Sequence, residues 1–345
     1  MTLKSEIFEQ PSILENLLVN QADTVKKAAK TIRDSNIQYI FLAARGTSDN
    51  AGRYSQYLLG AHNGLPVALA TPSLFTYYNQ PPTLKGALVV GISQSGQSPD
   101  IVSVLVEGRR QGCPTLAITN TPDSPLGEAA DFIIDIQAGV EKAVAATKSF
   151  TAELMAIAML SAALEKSDES WRLLSSVPDW VSQILALDHD IARIAERYRF
   201  MELCVVLGRG YNYATAYEFS LKLKELTYTS AEAYSSADFQ HGPIALIEQG
   251  FPVLAVAPGG KVFDNLMQLL SILRTERNAD LMVISDQVKA LSLAQCPIRL
   301  PAGIPEWISP IIGIIPGQLF SNYLAQAKGF DPEAPRGLHK VTETN

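Results

Sequence analysis

The stretch "GALVVGISQSGQSPD" (residues 86–100) joins an apolar run directly to a loop rich in glycine and hydroxyl side chains. The run 86–92 is typical of a strand buried on both faces of a parallel sheet. Ser98, Pro99 and Asp100 are typical of a helix N-cap, a first helical position and an acidic first turn. Such a loop offers N–H groups and hydroxyls to an anion. The stretch therefore predicts a phosphate loop or a plain helix cap, and the negative charge of Asp100 counts against the phosphate.

Similar apolar runs recur along the chain and alternate with segments of helical length. This alternation predicts an α/β fold with doubly wound parallel sheets, whose ligands bind beyond the carboxyl ends of the strands. The loop at 93–98 is neither GxxxxGK[ST] nor GxGxxG, so it is not a nucleotide-binding signature. The further predicted strands are 37–44, 114–119, 201–208, 251–257 and 279–285.

The strand pattern repeats at a nearly constant offset. Arg45-Gly46 recurs 164 residues later as Arg209-Gly210, and "LAIT" from Leu116 recurs 165 residues later as "LMVI" from Leu281. A shared offset predicts two duplicated α/β domains, with chance similarity of two unrelated domains as the alternative. The predicted segments are an N-terminal helical segment (1–29), domain 1 (30–165), a helical connector (166–194), domain 2 (195–330) and a C-terminal tail (331–345).

Composition and charge exclude several classes of protein. The 345 residues carry a net charge of −7 and are 47% hydrophobic, so nucleic acid is not an expected partner. The three cysteines are far apart and the four histidines lack metal-ligand spacing, so we expect no disulfide, metal or cofactor. The first residues have no apolar signal core and no stretch is suited to cross a bilayer, so a cytoplasmic location is expected.

Several unusual motifs occur in order along essentially the whole chain, and together they resemble one family. They are similar to the tandem sugar-isomerase (SIS) domains that form the isomerase half of glucosamine-6-phosphate synthase. Similarity is greater still to stand-alone relatives that deaminate glucosamine 6-phosphate, on "EKAVAATKS", "SSADFQHGP" and "GLHKVT". The motifs are "ARGTSDNAG" (44–52), "ISQSGQSPD" (92–100), "EKAVAATKSFTAEL" (141–154), "EFSLKLKELTYTSAEAYSSADFQHGPIALI" (218–247) and the final "PRGLHKVTETN".

One departure from the synthase bears on the reaction. The synthase has an N-terminal glutaminase domain with a cysteine nucleophile, whereas residue 2 here is Thr2 and the repeat begins within the first few dozen residues. Hydrolytic release of an amine is therefore expected in preference to synthesis from glutamine.

The resemblance implies a substrate site for a sugar phosphate. Ala146 stands where the synthase has a serine, so one hydroxyl contact to the sugar is expected to be missing, and His339 replaces a small residue and is expected to tune the pocket. The implied phosphate ligands are Ser93, Gln94, Ser95 and Ser98, with Thr47 and Ser48 nearby, and Val144 and Ala146 line the sugar site.

Glu225 and Lys222 are the implied acid–base pair. Their spacing places both heads on one helix face, which by itself indicates a surface salt bridge. The resemblance instead makes Glu225 the base that carries a proton between C1 and C2, and Lys222 the group that polarises the sugar oxygen.

Two further residues are implied from other parts of the chain. His241 would open the sugar ring from a partner subunit, which makes a homodimer the expected assembly. Lys340 lies in a tail that would fold over the active site; it would act there as an electrostatic or acid group, or form a transient imine. The apolar helix 147–164 is expected to be buried, either in its own domain or at the dimer interface, with the interface preferred in part.

The expected reaction is the conversion of glucosamine 6-phosphate and water to fructose 6-phosphate and ammonia. The alternatives with the same proton chemistry are a fructosamine-6-phosphate deglycase and an aldose–ketose phosphosugar isomerase. A third alternative is a non-catalytic SIS protein that senses sugar phosphates, although Glu225, Lys222, His241 and Lys340 together exceed what sensing requires.

Overall fold

The computed structural model of the chain describes residues 2–340. The strands are β1 (Tyr39–Ala43), β2 (Val67–Leu69), β3 (Ala87–Ser93), β4 (Thr115–Thr119), β5 (Phe132–Asp135), β6 (Leu203–Gly208), β7 (Ser230–Ser235), β8 (Pro252–Val256), β9 (Asp280–Ser285) and β10 (Cys296–Arg299). The helices are α1 (Leu3–Phe8), α2 (Gln10–Asp34), α3 (Gly46–Asn63), α4 (Ser73–Thr76), α5 (Pro99–Arg110), α6 (Pro125–Glu128), α7 (Lys148–Glu165), α8 (Asp168–Leu174), α9 (Val177–Leu185), α10 (Asp188–Arg197), α11 (Asn212–Thr227), α12 (Ser236–Gln240), α13 (Phe263–Thr275), α14 (Val288–Leu291) and α15 (Ser309–Ala327), with a 3-10 turn at Pro243–Leu246.

The described chain divides into two compact units. The first-repeat unit comprises residues 9–141, 146–178 and 339–340. The second-repeat unit comprises residues 2–8, 142–145 and 179–338. Each unit contains one complete five-stranded sheet.

The two sheets have the same topology. The first-repeat sheet has the order β2-β1-β3-β4-β5, and the second-repeat sheet has the order β7-β6-β8-β9-β10, with every pair parallel. In each sheet the chain goes from the first strand to a neighbour on one side and then returns to the other side. This identity of order confirms the α/β fold class and the duplication that the sequence offset predicts.

The central strands form where the sequence predicts them. All seven residues of β3 are buried, as are all five of β4, which explains why their sequences are continuously apolar. The four outer strands were not predicted. β2 has three residues and β7 has the sequence "SAEAYS", so neither shows the apolar pattern of a buried strand.

Helix α7 forms the centre of the first-repeat unit. Its residues 148–163 are all buried, and it packs against α2 and α3 of the same unit. Of the two predicted positions for this helix, the structure shows burial in its own domain, and the covered apolar side chains leave little surface of α7 for a dimer interface. Within residues 2–340, no helix combines the length and the apolar character that crossing a membrane requires.

The packing of α7 predicts that shortening one of its buried side chains lowers the stability of the fold substantially. Leu154→Ala removes a side chain with no exposed surface, so we expect the free energy of unfolding to fall by about 2–5 kcal/mol. Urea denaturation followed by circular dichroism measures this change. The matched control is Leu203→Ala, at a half-exposed leucine, which we expect to change stability by about 0.5 kcal/mol or less. Equal effects of the two substitutions would contradict the assignment of α7 to the core.

Candidate active site

The loop between β3 and α5 lies at the point where the strand order of the first-repeat sheet reverses. β2 and β3 lie on opposite sides of β1, so the connections after β1 and β3 leave in opposite directions and open a crevice between them. Ser93 ends β3, and Pro99 begins α5. The predicted phosphate loop is therefore at the position where sheets of this topology bind ligands.

Hydrogen bonds within the loop hold it in a compact turn. Ser93 Oγ accepts a bond from the Gly96 N–H at 3.1 Å, and Ser95 Oγ accepts one from the Gln97 N–H at 3.3 Å. Gly96 has φ +64°, and a Cβ there would lie 1.9 Å from Ser124 Oγ, so this position requires glycine. Both hydroxyls act as acceptors within the loop and keep their own protons to donate to an anion.

Ser98 is the N-cap residue of α5, as predicted, but its side chain makes no capping hydrogen bond. A serine N-cap ordinarily accepts a bond from the first helical turn. The Ser98 hydroxyl is thus not used by the helix, which favours the phosphate-loop interpretation over a plain cap.

The charge of Asp100 is compensated inside the fold. Its side chain is only 1% exposed; Oδ2 accepts a hydrogen bond from Arg45 Nε at 2.7 Å, and Oδ1 accepts one from the Ile101 N–H at 2.9 Å. The carboxylate that counted against phosphate binding is therefore half of an ion pair, and its pairing removes that objection.

Thr47 and Ser48 lie in the first turn of α3, which follows β1. Ser48 is buried and its hydroxyl donates to Glu153 Oε1 of α7 at 2.8 Å, whereas Thr47 is half-buried. Ser48 thus fastens the start of α3 to the core of the unit.

A cavity of about 580 Å³ lies at the carboxyl edge of the first-repeat sheet. Gln94 of the loop lines one side, and Glu141 lines another. Glu141 Oε2 accepts a hydrogen bond from Lys340 Nζ at 2.7 Å, so the implied catalytic lysine of the tail is held at a residue of this cavity. Residues 341–345 of the expected tail lie outside the described residues.

Glu141 is a functional candidate that the sequence did not single out, although it begins the quoted motif "EKAVAATKS". Its carboxylate has no exposed surface and accepts hydrogen bonds from the Thr147 N–H, the Ser149 N–H and Ser149 Oγ in addition to Lys340. Burial by itself would raise the pKa of Glu141, but the Lys340 ammonium and these hydrogen bonds hold it below the ordinary glutamate value. Glu141 is therefore a fixed anion that is hydrogen-bonded to Lys340.

Lys222 and Glu225 lie on α11 of the second-repeat unit, and the structure brings them together. Lys222 Nζ is 2.6 Å from Glu225 Oε2 and 3.3 Å from Glu218 Oε1. The Lys222 side chain is only 1% exposed and Glu218 has no exposed surface, whereas 22% of the Glu225 side chain is exposed. The salt bridge that the spacing indicates is therefore present, but it is buried.

Lys222 remains charged in this cluster. Burial by itself would lower the pKa of Lys222, but attraction to Glu218 and Glu225 raises it above its ordinary value, so the ammonium persists. One ammonium then faces two carboxylates, and Glu225 is the member that solvent or a ligand can reach. Lys222 is placed to hold Glu225, whereas its burial leaves it little surface for direct contact with a sugar oxygen.

Glu218 is a member of the cluster that was not among the predicted site residues. Its signal is the spacing in "EFSLKLKE": Glu218 precedes Lys222 by four residues and Glu225 by seven, so all three share one helix face.

The remaining predicted residues lie in loops. His241 is exposed and follows α12, directly before Gly242, which has φ +135°. Val144 is half-buried in the second-repeat unit. The N–H groups of Lys142 and Ala143, which precede it, donate hydrogen bonds to the Glu6 carboxylate. Ala146 is half-buried and His339 is exposed, both in the first-repeat unit. The contribution of His241 across a dimer interface stays a prediction.

No cluster of three or more metal-ligating side chains occurs in the part of the chain that the structure describes.

Comparison with known proteins decides the family. A family model of the SIS domain matches residues 32–163 and residues 204–326. The chain belongs to the SIS-domain family. Both matched stretches contain one of the two parallel sheets, which explains the repeated strand order.

The relatives include glutamine–fructose-6-phosphate aminotransferase (isomerizing) of Aquifex aeolicus, which is 33% identical over 97% of this chain. The chain spans 56% of the length of that relative, or about half. Among solved structures, the C-terminal domain of glucosamine-fructose-6-phosphate aminotransferase from Francisella tularensis is 31% identical, with a TM-score of 0.87 over 96% of this chain and 98% of its own. Glucosamine-6-phosphate deaminase from Thermotoga maritima has a TM-score of 0.80 with full coverage of both chains, but at 19% identity it shows a shared fold alone.

The Lys222 cluster predicts that loss of its ammonium destabilises the fold, and that removal of one of its carboxylates as well recovers part of the loss. Lys222→Met removes the buried ammonium that faces the carboxylates of Glu218 and Glu225, so we expect a loss of about 3–5 kcal/mol in the free energy of unfolding. Adding Glu218→Gln removes one of these charges and should recover part of the loss. Urea denaturation of both variants measures the effect, and a single variant as stable as the parent would contradict the cluster.

The pKa of Glu141 predicts a dependence of stability on pH. A carboxyl group whose folded-state pKa is lowered stabilises the fold above the ordinary glutamate value of 4.5, and this contribution is lost as the pH falls through the folded value. At pH 7 we expect Glu141→Gln to cost about 1–3 kcal/mol, because it removes hydrogen bonds to a charged group. The cost should shrink as the pH falls below about 4.

Unfolding curves of the parent and Glu141→Gln, measured at several pH values between 7 and 3, make this comparison. Glu128→Gln, at an exposed glutamate of the same unit, is the control. A difference between parent and Glu141→Gln that stays constant over this range would contradict the assigned charge state.

Proposed function

We propose that the protein is an isomerising deaminase that converts glucosamine 6-phosphate and water to fructose 6-phosphate and ammonia. The observation that carries the proposal is the buried Lys222 ammonium between two carboxylates, of which Glu225 is the exposed one. This arrangement fits a carboxylate base held in one position, as proton transfer at carbon requires.

The phosphate of the substrate is assigned to the loop after β3. The hydroxyls of Ser93, Ser95 and Ser98, just before the start of α5, offer donors to a dianion. Gln94 extends this set to the wall of the 580 Å³ cavity, which is large enough for a phosphorylated hexose.

The proposed proton transfer begins after His241 has assisted ring opening. Glu225 removes the proton from C2 of the open-chain aldehyde, which gives an enolamine, and returns it to C1, which gives an imine at C2. Water then adds to C2, and the C–N bond breaks to release ammonia and leave the ketone of fructose 6-phosphate. Each step moves one proton or one leaving group and needs no redox partner.

Lys340 is assigned an electrostatic role in this reaction. Lys340 Nζ lies 2.7 Å from Glu141 Oε2, and this contact holds the amine in place and favours an electrostatic role over attack on a carbonyl carbon. An ammonium at the cavity stabilises the negative charge that develops on the sugar oxygen as the enolamine forms.

The similarity to the aminotransferase relatives supports an aminosugar phosphate as substrate, because those proteins are named for glucosamine or fructose 6-phosphate. An aldose–ketose isomerase and a fructosamine-6-phosphate deglycase would use the same Glu225 chemistry. The amine of the substrate distinguishes these activities.

The test is ammonia release from the purified protein without glutamine, with glucosamine 6-phosphate, galactosamine 6-phosphate and a fructosamine 6-phosphate as substrates. We expect turnover of glucosamine 6-phosphate that Glu225→Gln lowers by about 10²–10⁴-fold. The matched control is Glu276→Gln, at an exposed glutamate of the same unit, which should retain parental turnover. Amine release from the fructosamine alone would identify a deglycase, and undiminished turnover by Glu225→Gln would overturn the assignment of the base.

A further inference from the structure

We propose that Arg45 is a phosphate ligand of the first-repeat loop, and that Asp100 holds its guanidinium in place. This inference rests on the phosphate site of the proposed function. It adds a charged ligand to a set that the sequence analysis limited to hydroxyls and one amide.

The fold brings Arg45 to the mouth of the crevice. Arg45 follows β1 and is the N-cap residue of α3, while the loop follows β3, which pairs directly with β1 through Ala43 and Gly91. Because parallel strands end at the same edge, the two connections are neighbours at the point where the strand order reverses.

The ion pair with Asp100 orients the guanidinium. The pair uses Nε, and half of the Arg45 side chain remains exposed. A guanidinium fixed through Nε keeps Nη1 and Nη2 for a second partner, and this fork matches two oxygens of a phosphate. Asp100 cannot rotate away with it, because its other oxygen accepts from the Ile101 N–H at the start of α5.

Arg45 also compensates the charge of the Asp100 carboxylate. Without Arg45, the buried Asp100 carboxylate would be an uncompensated anion in the first turn of α5, beside the place assigned to the phosphate. Two neighbouring anions repel each other strongly in a partly desolvated site. Arg45 cancels the charge of Asp100 and adds donors for the ligand.

The second repeat supplies an internal comparison. Arg209 is the equivalent residue after β6, but its guanidinium donates to Asn265 and Ser236. In the loop after β8, the Gly259 N–H donates to Asp286 Oδ1 at 2.7 Å and the Lys261 N–H donates to Glu306 Oε2 at 2.9 Å.

The anion-binding groups of the second repeat are therefore satisfied by its own carboxylates. In the first repeat the loop N–H groups of Gly96 and Gln97 donate to hydroxyls of the loop instead. A hydroxyl acceptor adds no negative charge to the loop, and the carboxylate at the start of α5, Asp100, is paired with Arg45. The comparison predicts one phosphate per chain, bound by the first repeat.

Isothermal titration calorimetry with inorganic phosphate and with glucosamine 6-phosphate tests the proposal without relying on turnover. We expect one site per chain and a Kd that Arg45→Ala raises by about 10- to 100-fold, with Arg45→Lys in between. Arg209→Ala is the matched control and should bind phosphate as the parent does.

A second pair of variants keeps the test decisive if Arg45→Ala fails to fold because Asp100 is left unpaired. Asp100→Asn and Arg45→Ala/Asp100→Asn contain no buried, unpaired carboxylate at this position. The double variant should bind phosphate about 10-fold or more weakly than Asp100→Asn, and more tightly than Arg45→Ala. Equal affinity of Asp100→Asn and the double variant would overturn the role of Arg45.

The binding and turnover results separate this inference from the proposed function. Phosphate binding that depends on Arg45, in a protein that releases no ammonia, would support the ligand and contradict the deaminase. Ammonia release by a protein whose phosphate affinity does not depend on Arg45 would support the deaminase and contradict the role of Arg45 as a phosphate ligand.

Discussion

Parallel strand pairing is the constraint on which the first-repeat site depends. It places the carboxyl ends of β1 and β3 side by side, so the first turns of α3 and α5 begin at one edge of the sheet. Both helix N-termini then lie where the strand order reverses, and a loop of glycine and serine between β3 and α5 has room to turn tightly. Gly96 allows that turn, since any side chain there would collide with Ser124. The position of the loop is therefore a property of the topology, and its chemistry is a property of its side chains.

Compensated buried charge is the second feature that the two units share. Asp100 is paired with Arg45 and Glu141 with Lys340 in the first-repeat unit, while Lys222 is paired with two glutamates in the second. In each pair the more buried partner is held by hydrogen bonds or by a helix, and the more exposed partner is available to a ligand. Such pairs are costly to assemble and are weak sources of net stability. Their value lies in orientation, because the exposed group keeps one position before any substrate arrives.

The sequence predicted the strands of the sheets more completely than the ion pairs of the candidate site. Central strands such as β3 and β8 are continuous apolar runs, whereas the outer strand β7 is polar and β2 is short, so neither has a pattern that periodicity detects. The serines of the loop were evident from composition. The counter-ions were not: Arg45 and Asp100 are 55 residues apart, and Glu141 and Lys340 are 199 apart, so only the fold brings each pair together. Glu218 could have been identified from the sequence, since its spacing from Lys222 and Glu225 places all three on one helix face.

The most direct test of the central claim is the fate of the hydrogen at C2. Glucosamine 6-phosphate deuterated at C2 can be incubated with the protein and the products followed by NMR. Proton transfer by Glu225 predicts fructose 6-phosphate whose deuterium is transferred to C1 or lost to solvent, and no such change with Glu225→Gln, although this variant still binds substrate. Deuterium that is still at C2 of recovered sugar after prolonged incubation with the parent protein, or equally rapid transfer by Glu225→Gln, would contradict proton transfer by Glu225.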